Sequence, residues 1–273
     1  TTLARAIMGV LPRNGSISAG RIVFDGVDLL SLPPSRRRML LWRDIAFVPQ
    51  SAMNSLAPVY TLRTQLHEVL RGRGGLSRSA ADTRAEELFV AVGLDVTRLA
   101  YYPHQFSGGM RQRAAIALAL ALRPRLIIAD EPVTALDVIV QRQVLNTFQT
   151  LSQSLDLSAI VITHDVSVVA FLCDLTAVMY AGKVVEYGAT RAVLRTPWHP
   201  YTIGLMQAFP DLDNDAEALM PIEGSPPDLL DPPRGCRFAP RCPYVEAECL
   251  AADPLPIGDL HWAKCIRTSE MAA

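Results

Sequence analysis

Apolar positions alternate between two rhythms along this chain. Ile45 to Val48, Leu126 to Ala129 and Ala159 to Thr163 are short uncharged runs of strand length. Such runs predict buried strands of a parallel sheet. Between them, apolar residues recur at helical spacing. Leu62 to Leu70 and Ser79 to Val92 predict two amphipathic helices, parted by the glycines from Gly72 to Gly75 and stopped by Gly93. Val138 to Leu151 predicts a further helix, and Ser35 is placed to cap a short one running through Trp42. Gly20 to Gly26 reads as a strand ending in an Asp25-Gly26 turn. Thr176 to Ala181 and Lys183 to Tyr187 read as a terminal hairpin around Gly182. Strands alternating with helices predict an α/β fold with a mixed, parallel-rich sheet.

The pattern changes after Thr196-Pro197-Trp198-His199-Pro200-Tyr201. Beyond this point the chain is rich in Pro, Asp and Gly and has little periodicity. A core domain with an irregular appendage is therefore expected, and 273 residues leave room for both. A formal net charge of −1 gives no bulk attraction to nucleic acid. The longest apolar run, Ala114 to Leu122, sits between Arg113 and Arg123 and falls well short of the ~18 residues that span a bilayer. It predicts a core helix face. No secretory signal opens the chain, so a cytosolic protein is expected, with any membrane link made through partners.

The chemistry concentrates between Gln105 and Asp137. Ser107-Gly108-Gly109 opens a helix, where the serine hydroxyl can accept from an orphan N–H. Glycine there lets another body approach the backbone closely, and a bare helix N-terminus suits an anion. The Leu126 run ends in Asp130-Glu131. Adjacent carboxylates at a strand's C-terminal end suit a metal-phosphate site, one holding Mg²⁺ and the other positioning water. In this order and spacing the segment resembles the nucleotide-binding subunit of an ABC transporter. Ser107 to Gln112 is similar to the signature, Leu126 to Glu131 to Walker B with its glutamate, and Ala135-Leu136-Asp137 to the D-loop.

The resemblance implies a P-loop NTPase-like ABC domain over residues 1–195, with a helical subdomain at about 51–123 that presents the signature and packs on membrane subunits. It makes Glu131, His164 and Gln50 catalytic. ATP would meet Thr1, Thr2, Gln50, Ser107, Gly108, Gly109, Gln112, Asp137 and His164, some of them on a sister subunit's nucleotide. Mg²⁺ would fall to Thr1, Gln50 and Asp130. Thr1-Thr2 stands where the Ser/Thr pair after the P-loop lysine belongs, so the sequence is expected to be cut just after that lysine.

Four of the five cysteines, Cys236, Cys242, Cys249 and Cys265, fall in the appendage. In a reducing compartment such a group suggests metal before disulfides. The spacing is longer than zinc ribbons prefer and suits an iron–sulfur cluster at least as well; a metal-free tail stays open. With His199-Pro200-Tyr201 and Gly235 to Pro243, the tail (196–273) resembles the C-terminal extension of ABC importers for dipeptides, oligopeptides and nickel, in which four cysteines suggest a [4Fe–4S] cluster. A peripheral subunit on the cytoplasmic face of the membrane is implied. Its partners would be a sister ATPase, as a heterodimer, two permeases and, indirectly, an extracytoplasmic solute-binding protein. A nickel importer ATPase, a non-hydrolysing partner lending only its signature, and a soluble ABC ATPase of DNA repair or translation are the rivals.

Other residues carry plainer readings. Arg36-Arg37-Arg38 reads as a solvated helix face and His67 as a surface residue. Tyr101 and Tyr102 read as packing rings, and Cys173 as a small buried hydrophobe.

Overall fold

The computed structural model describes residues 1–50, 52–208 and 221–271. It divides into two compact units, Thr1–Val166 and Ser167–Ala273.

In the first unit, helix α1 (Thr2–Met8) ends at Gly9, whose left-handed φ of 68° closes the last turn. Strands β1 (Val23–Phe24) and β2 (Val27–Asp28) form a hairpin about Asp25-Gly26. Both turn residues have positive φ, 53° and 77°, as a tight hairpin turn requires. The turn is where the sequence puts it, and the strand before it is shorter. Helix α2 (Pro34–Arg43) begins on Pro34 and not under a Ser35 cap. Proline's preset φ and missing N–H suit the first helical position. Strand β3 (Ile45–Val48) leads to helix α3 (Ala52–Ser55), helix α4 (Leu62–Gly72), capped by Thr61, and helix α5 (Arg78–Ala91), capped by Ser77. Then come α6 (Gly108–Ala119), β4 (Leu126–Asp130), α7 (Val138–Ser154) and β5 (Ser158–Ile162).

Strands β3, β4 and β5 lie parallel in that order. The charge-free runs explain β3 and β4, which are almost wholly buried. β5 departs from expectation. It is parallel to β4, but Ser158–Ile160 is exposed, and no strand among the described residues pairs with its far side. α1 packs Ala4 and Met8 against Ile45, Ile128 and Leu29, so the first helix seats directly on the sheet.

Two polar side chains that the sequence suggests are solvated are structural. Arg37 donates from Nη2 to the carbonyls of Ala6 and Ile7, at 2.9 and 3.2 Å, and so caps the end of α1. The last carbonyls of a helix have no partner of their own, which is why a guanidinium settles there. The His67 side chain is only 16% exposed and lies 3.1 Å from Asp82, which Arg63 also binds, so the cluster ties α4 to α5. Tyr102 stacks on His104 with ring centres 5.6 Å apart.

Helix α8 (Val166–Leu172) begins at the division. The second unit holds β6 (Leu175–Tyr180), β7 (Lys183–Ala189), α9 (Thr190–Arg195), α10 (Pro200–Gln207), α11 (Ala247–Ala251), β8 (Ile257–Gly258), β9 (Trp262–Ala263) and α12 (Thr268–Met271). The predicted hairpin is present, but it is not terminal. β9 pairs with β7, and the antiparallel sheet runs β6-β7-β9-β8. Tyr180, Tyr201 and Phe238 meet ring to ring over Val178, Val185 and Val193. Glu186 is fully buried there. It accepts from the backbone N–H groups of Trp198 and His199, at 2.8 and 3.0 Å, and faces His261 Nε2 at 2.8 Å. Such a carboxylate is tolerable in the interior only because donors surround it. Cys173 is half-buried, and burial pushes its thiol pKa up.

Candidate functional site

Parallel strands deliver their C-terminal ends to one edge of a sheet, where ligands of such folds bind. Register brings Val48 level with Ala129, and Asp130 level with Ile162. Gln50, Asp130-Glu131 and Thr163-His164 therefore stand at the ends of three adjacent strands. Gln50 is exposed, two residues beyond β3.

Asp130 is 1% exposed, and its Oδ1 accepts from the Thr1 hydroxyl at 3.1 Å. A carboxylate and a hydroxyl converging as hard oxygen donors fit Mg²⁺. Thr2 is exposed in the first turn of α1.

Glu131 has a left-handed backbone, φ 52°, uncommon outside glycine. Its carboxylate is fully engaged. Oε1 accepts from the His164 backbone N–H at 3.1 Å and stands 2.7 Å from His164 Nδ1. Oε2 accepts from the hydroxyls of Thr134 and Thr163, at 2.9 and 3.4 Å. Burial works to raise the Glu131 pKa, but the bonds from His164 and Thr134 outweigh it and hold the carboxyl below its ordinary range. The same bond raises the pKa of His164, whose side chain is 80% exposed. A carboxylate held ionised at the ends of the strands, beside an exposed imidazole, can accept a proton from water.

The signature residues form a second group. Ser107 caps α6, accepting from Met110 N–H at 3.4 Å, and Asp137 caps α7, accepting from Val140 N–H at 3.0 Å. The two helix starts touch. A Cβ on Gly109 would lie 2.1 Å from Val140 Cγ1, so a side chain of this same chain already requires glycine here. Gly108 opens α6, while Gln112 is 4% exposed and belongs to the buried side of that helix. Arg113 reaches back to the Gly93 carbonyl at 2.9 Å and fastens α6 to the end of α5.

Thus the structure joins Thr1 to Asp130 and Glu131 to His164, and sets Ser107, Gly108, Gly109 and Asp137 apart at the paired starts of α6 and α7. Thr134, Thr163 and Val140 join these groups without being among the candidate residues of the sequence. Thr134 stands three residues after Glu131 and Thr163 directly before His164, and that adjacency is the signal that could have found them.

In the tail, Cys236, Cys242, Cys249 and Cys265 line one cavity of about 10 Å³ with His199 and Phe238. Burial pushes the Cys242 thiol up to about 11 and raises those of Cys236 and Cys265. No three His, Cys, Asp or Glu groups among the described residues stand in metal-holding geometry. The thiols converge without closing into a ligand set.

Comparison with known proteins bears on both halves. The family model for ABC transporters matches residues 1–134, and that for the C-terminal region of oligopeptide/dipeptide transporters matches residues 185–249. The oligopeptide transport ATP-binding protein OppD of Haemophilus influenzae is 43% identical over 254 residues, 92% of this chain and 78% of that protein. This chain belongs to the ABC transporter ATP-binding family. The dipeptide transport ATP-binding protein DppD of Bacillus subtilis is 45% identical over 90% of the chain and 74% of that protein. A dimeric ATP-binding cassette solved in a post-hydrolysis state with ADP and Pi is 28% identical. It has a TM-score of 0.56, with 64% of this chain and 75% of that one covered. As a member of this family the protein is an ABC-type ATPase that uses ATP, on a P-loop-type α/β fold. No helix among the described residues is long and apolar enough to cross a membrane.

Proposed function

We propose that this protein is the ATP-hydrolysing subunit that powers import of di- and oligopeptides across the cytoplasmic membrane, on whose inner face it sits peripherally. The observation that carries the reading is the meeting of Glu131, His164 and Asp130 along one sheet edge, in a chain whose tail matches the peptide-transporter region. The names of the relatives support peptide over nickel as cargo. In this reading residues 1–195 are the ATPase and residues 196–273 the extension. The helical part at about 51–123 meets two permeases, and a sister ATPase, a different chain, closes head to tail over ATP.

Thr1, Asp130 and Gln50 would hold Mg²⁺, which supplies charge neutralisation on the β- and γ-phosphates. Glu131 orients the attacking water and takes its proton. His164 leaves Glu131 for the γ-phosphate as nucleotide arrives. Ser107, Gly108 and Gly109 serve the sister's nucleotide, and Asp137 lies beside them. Closure is favoured by bound ATP and released by hydrolysis. The appendage is further proposed to bind an iron–sulfur cluster, or zinc, at its four cysteines, with no part in hydrolysis.

The test is Glu131→Gln in the full-length protein. ATP binding should persist while turnover falls by about 100-fold or more, the scale of a general base. Unchanged hydrolysis would remove Glu131 from its role.

A further inference from the structure

The carboxylate of Glu131 has two oxygens in different company. Oε1 faces His164 alone, through backbone and ring. Oε2 faces two hydroxyls from two loops, Thr134 after β4 and Thr163 after β5. Thr163 has its proton directed, because its oxygen already accepts the Asp165 N–H at 3.1 Å. A carboxylate has about four lone-pair positions, and all are taken. The contacts differ in how readily they open. The His164 ring is exposed and can swing away. Thr163 is anchored at the strand end and Thr134 lies within the turn at Glu131, where Thr134 N–H points back at the Glu131 carbonyl.

We propose that Thr134 and Thr163 are positioning residues for Glu131, holding Oε2 so that Oε1 is the oxygen offered to water when the His164 ring departs. This rests on Glu131 being the base. The two hydroxyls act through Glu131; they fix the plane of a carboxylate whose own backbone is in an uncommon conformation. Without them the carboxylate can rotate as His164 leaves, and the near-attack geometry is lost.

Steady-state hydrolysis by the full chain tests this. Thr134→Val should lower kcat about 10-fold or more with KM for ATP unchanged, the pattern of an interaction felt only in the transition state. Thr134→Ser should restore kcat. Placed on Glu131→Gln, Thr134→Val should cause no further loss, because there is no longer a base to position. Thr163→Val should behave in the same way and serves where the first variant does not fold. Wild-type kcat in both valine variants, while Glu131→Gln is inactive, overturns the inference and leaves the base in place. An active Glu131→Gln overturns the reading beneath it. A loss in the valine variants that adds in full to that of Glu131→Gln makes the threonines structural and overturns the inference as well.

Discussion

At the scale of single residues, what decides a role is which groups reach a side chain, and charge count is a poor guide to that. Arg37 stands in a run of three arginines yet spends its guanidinium on the end of α1. Glu131 and His164 lie far apart in sequence and share a bond of 2.7 Å. The pH behaviour of that pair is set by two opposite shifts. His164 is raised above 6.5, so its contribution is complete below 6.5 and fades as pH rises through the raised value. Glu131 is lowered below 4.5, so its contribution is complete above 4.5 and fades as pH falls through the lowered value. The contact should be strongest between those limits. An NMR titration of His164 in the nucleotide-free protein should give a pKa above 6.5 that returns toward it in Glu131→Gln. A value insensitive to that substitution would mean the pair does not meet in solution.

At the scale of elements, the contact of α6 with α7 governs how the signature is presented. Gly109→Ala sets two effects against each other. Alanine favours a helix over glycine by about 1 kcal/mol. The new Cβ, 2.1 Å from Val140, forces overpacking worth about 1–3 kcal/mol. The clash should win, because a valine stem cannot swing aside as a long chain end can. Urea unfolding should show Gly109→Ala less stable than wild type, and Val140→Ala should recover part of the loss when combined with it. Independent losses that simply add would show that the two helices do not touch here.

At the scale of the whole molecule, the tail's four thiols bear on whether the protein carries a metal beside its nucleotide site. On the proposed cluster, protein isolated without oxygen should carry iron and acid-labile sulfide at about four each per chain, lost in Cys242→Ser. About one zinc per chain would select the other ligand chemistry, and neither metal would leave the thiols as packing groups. The α/β class, the Asp25-Gly26 turn, β3, β4 and the order of signature, Asp130-Glu131 and His164 were legible in the sequence, because strand runs, caps and turn pairs are local signals. Tertiary structure alone decided the sheet that joins the 175–189 hairpin to Trp262–Ala263, the burial of Gln112 and Glu186, the Gly109–Val140 contact and the hydroxyls on Glu131. Each of these depends on which distant segments come together, and periodicity within one segment holds no information about its neighbours in space.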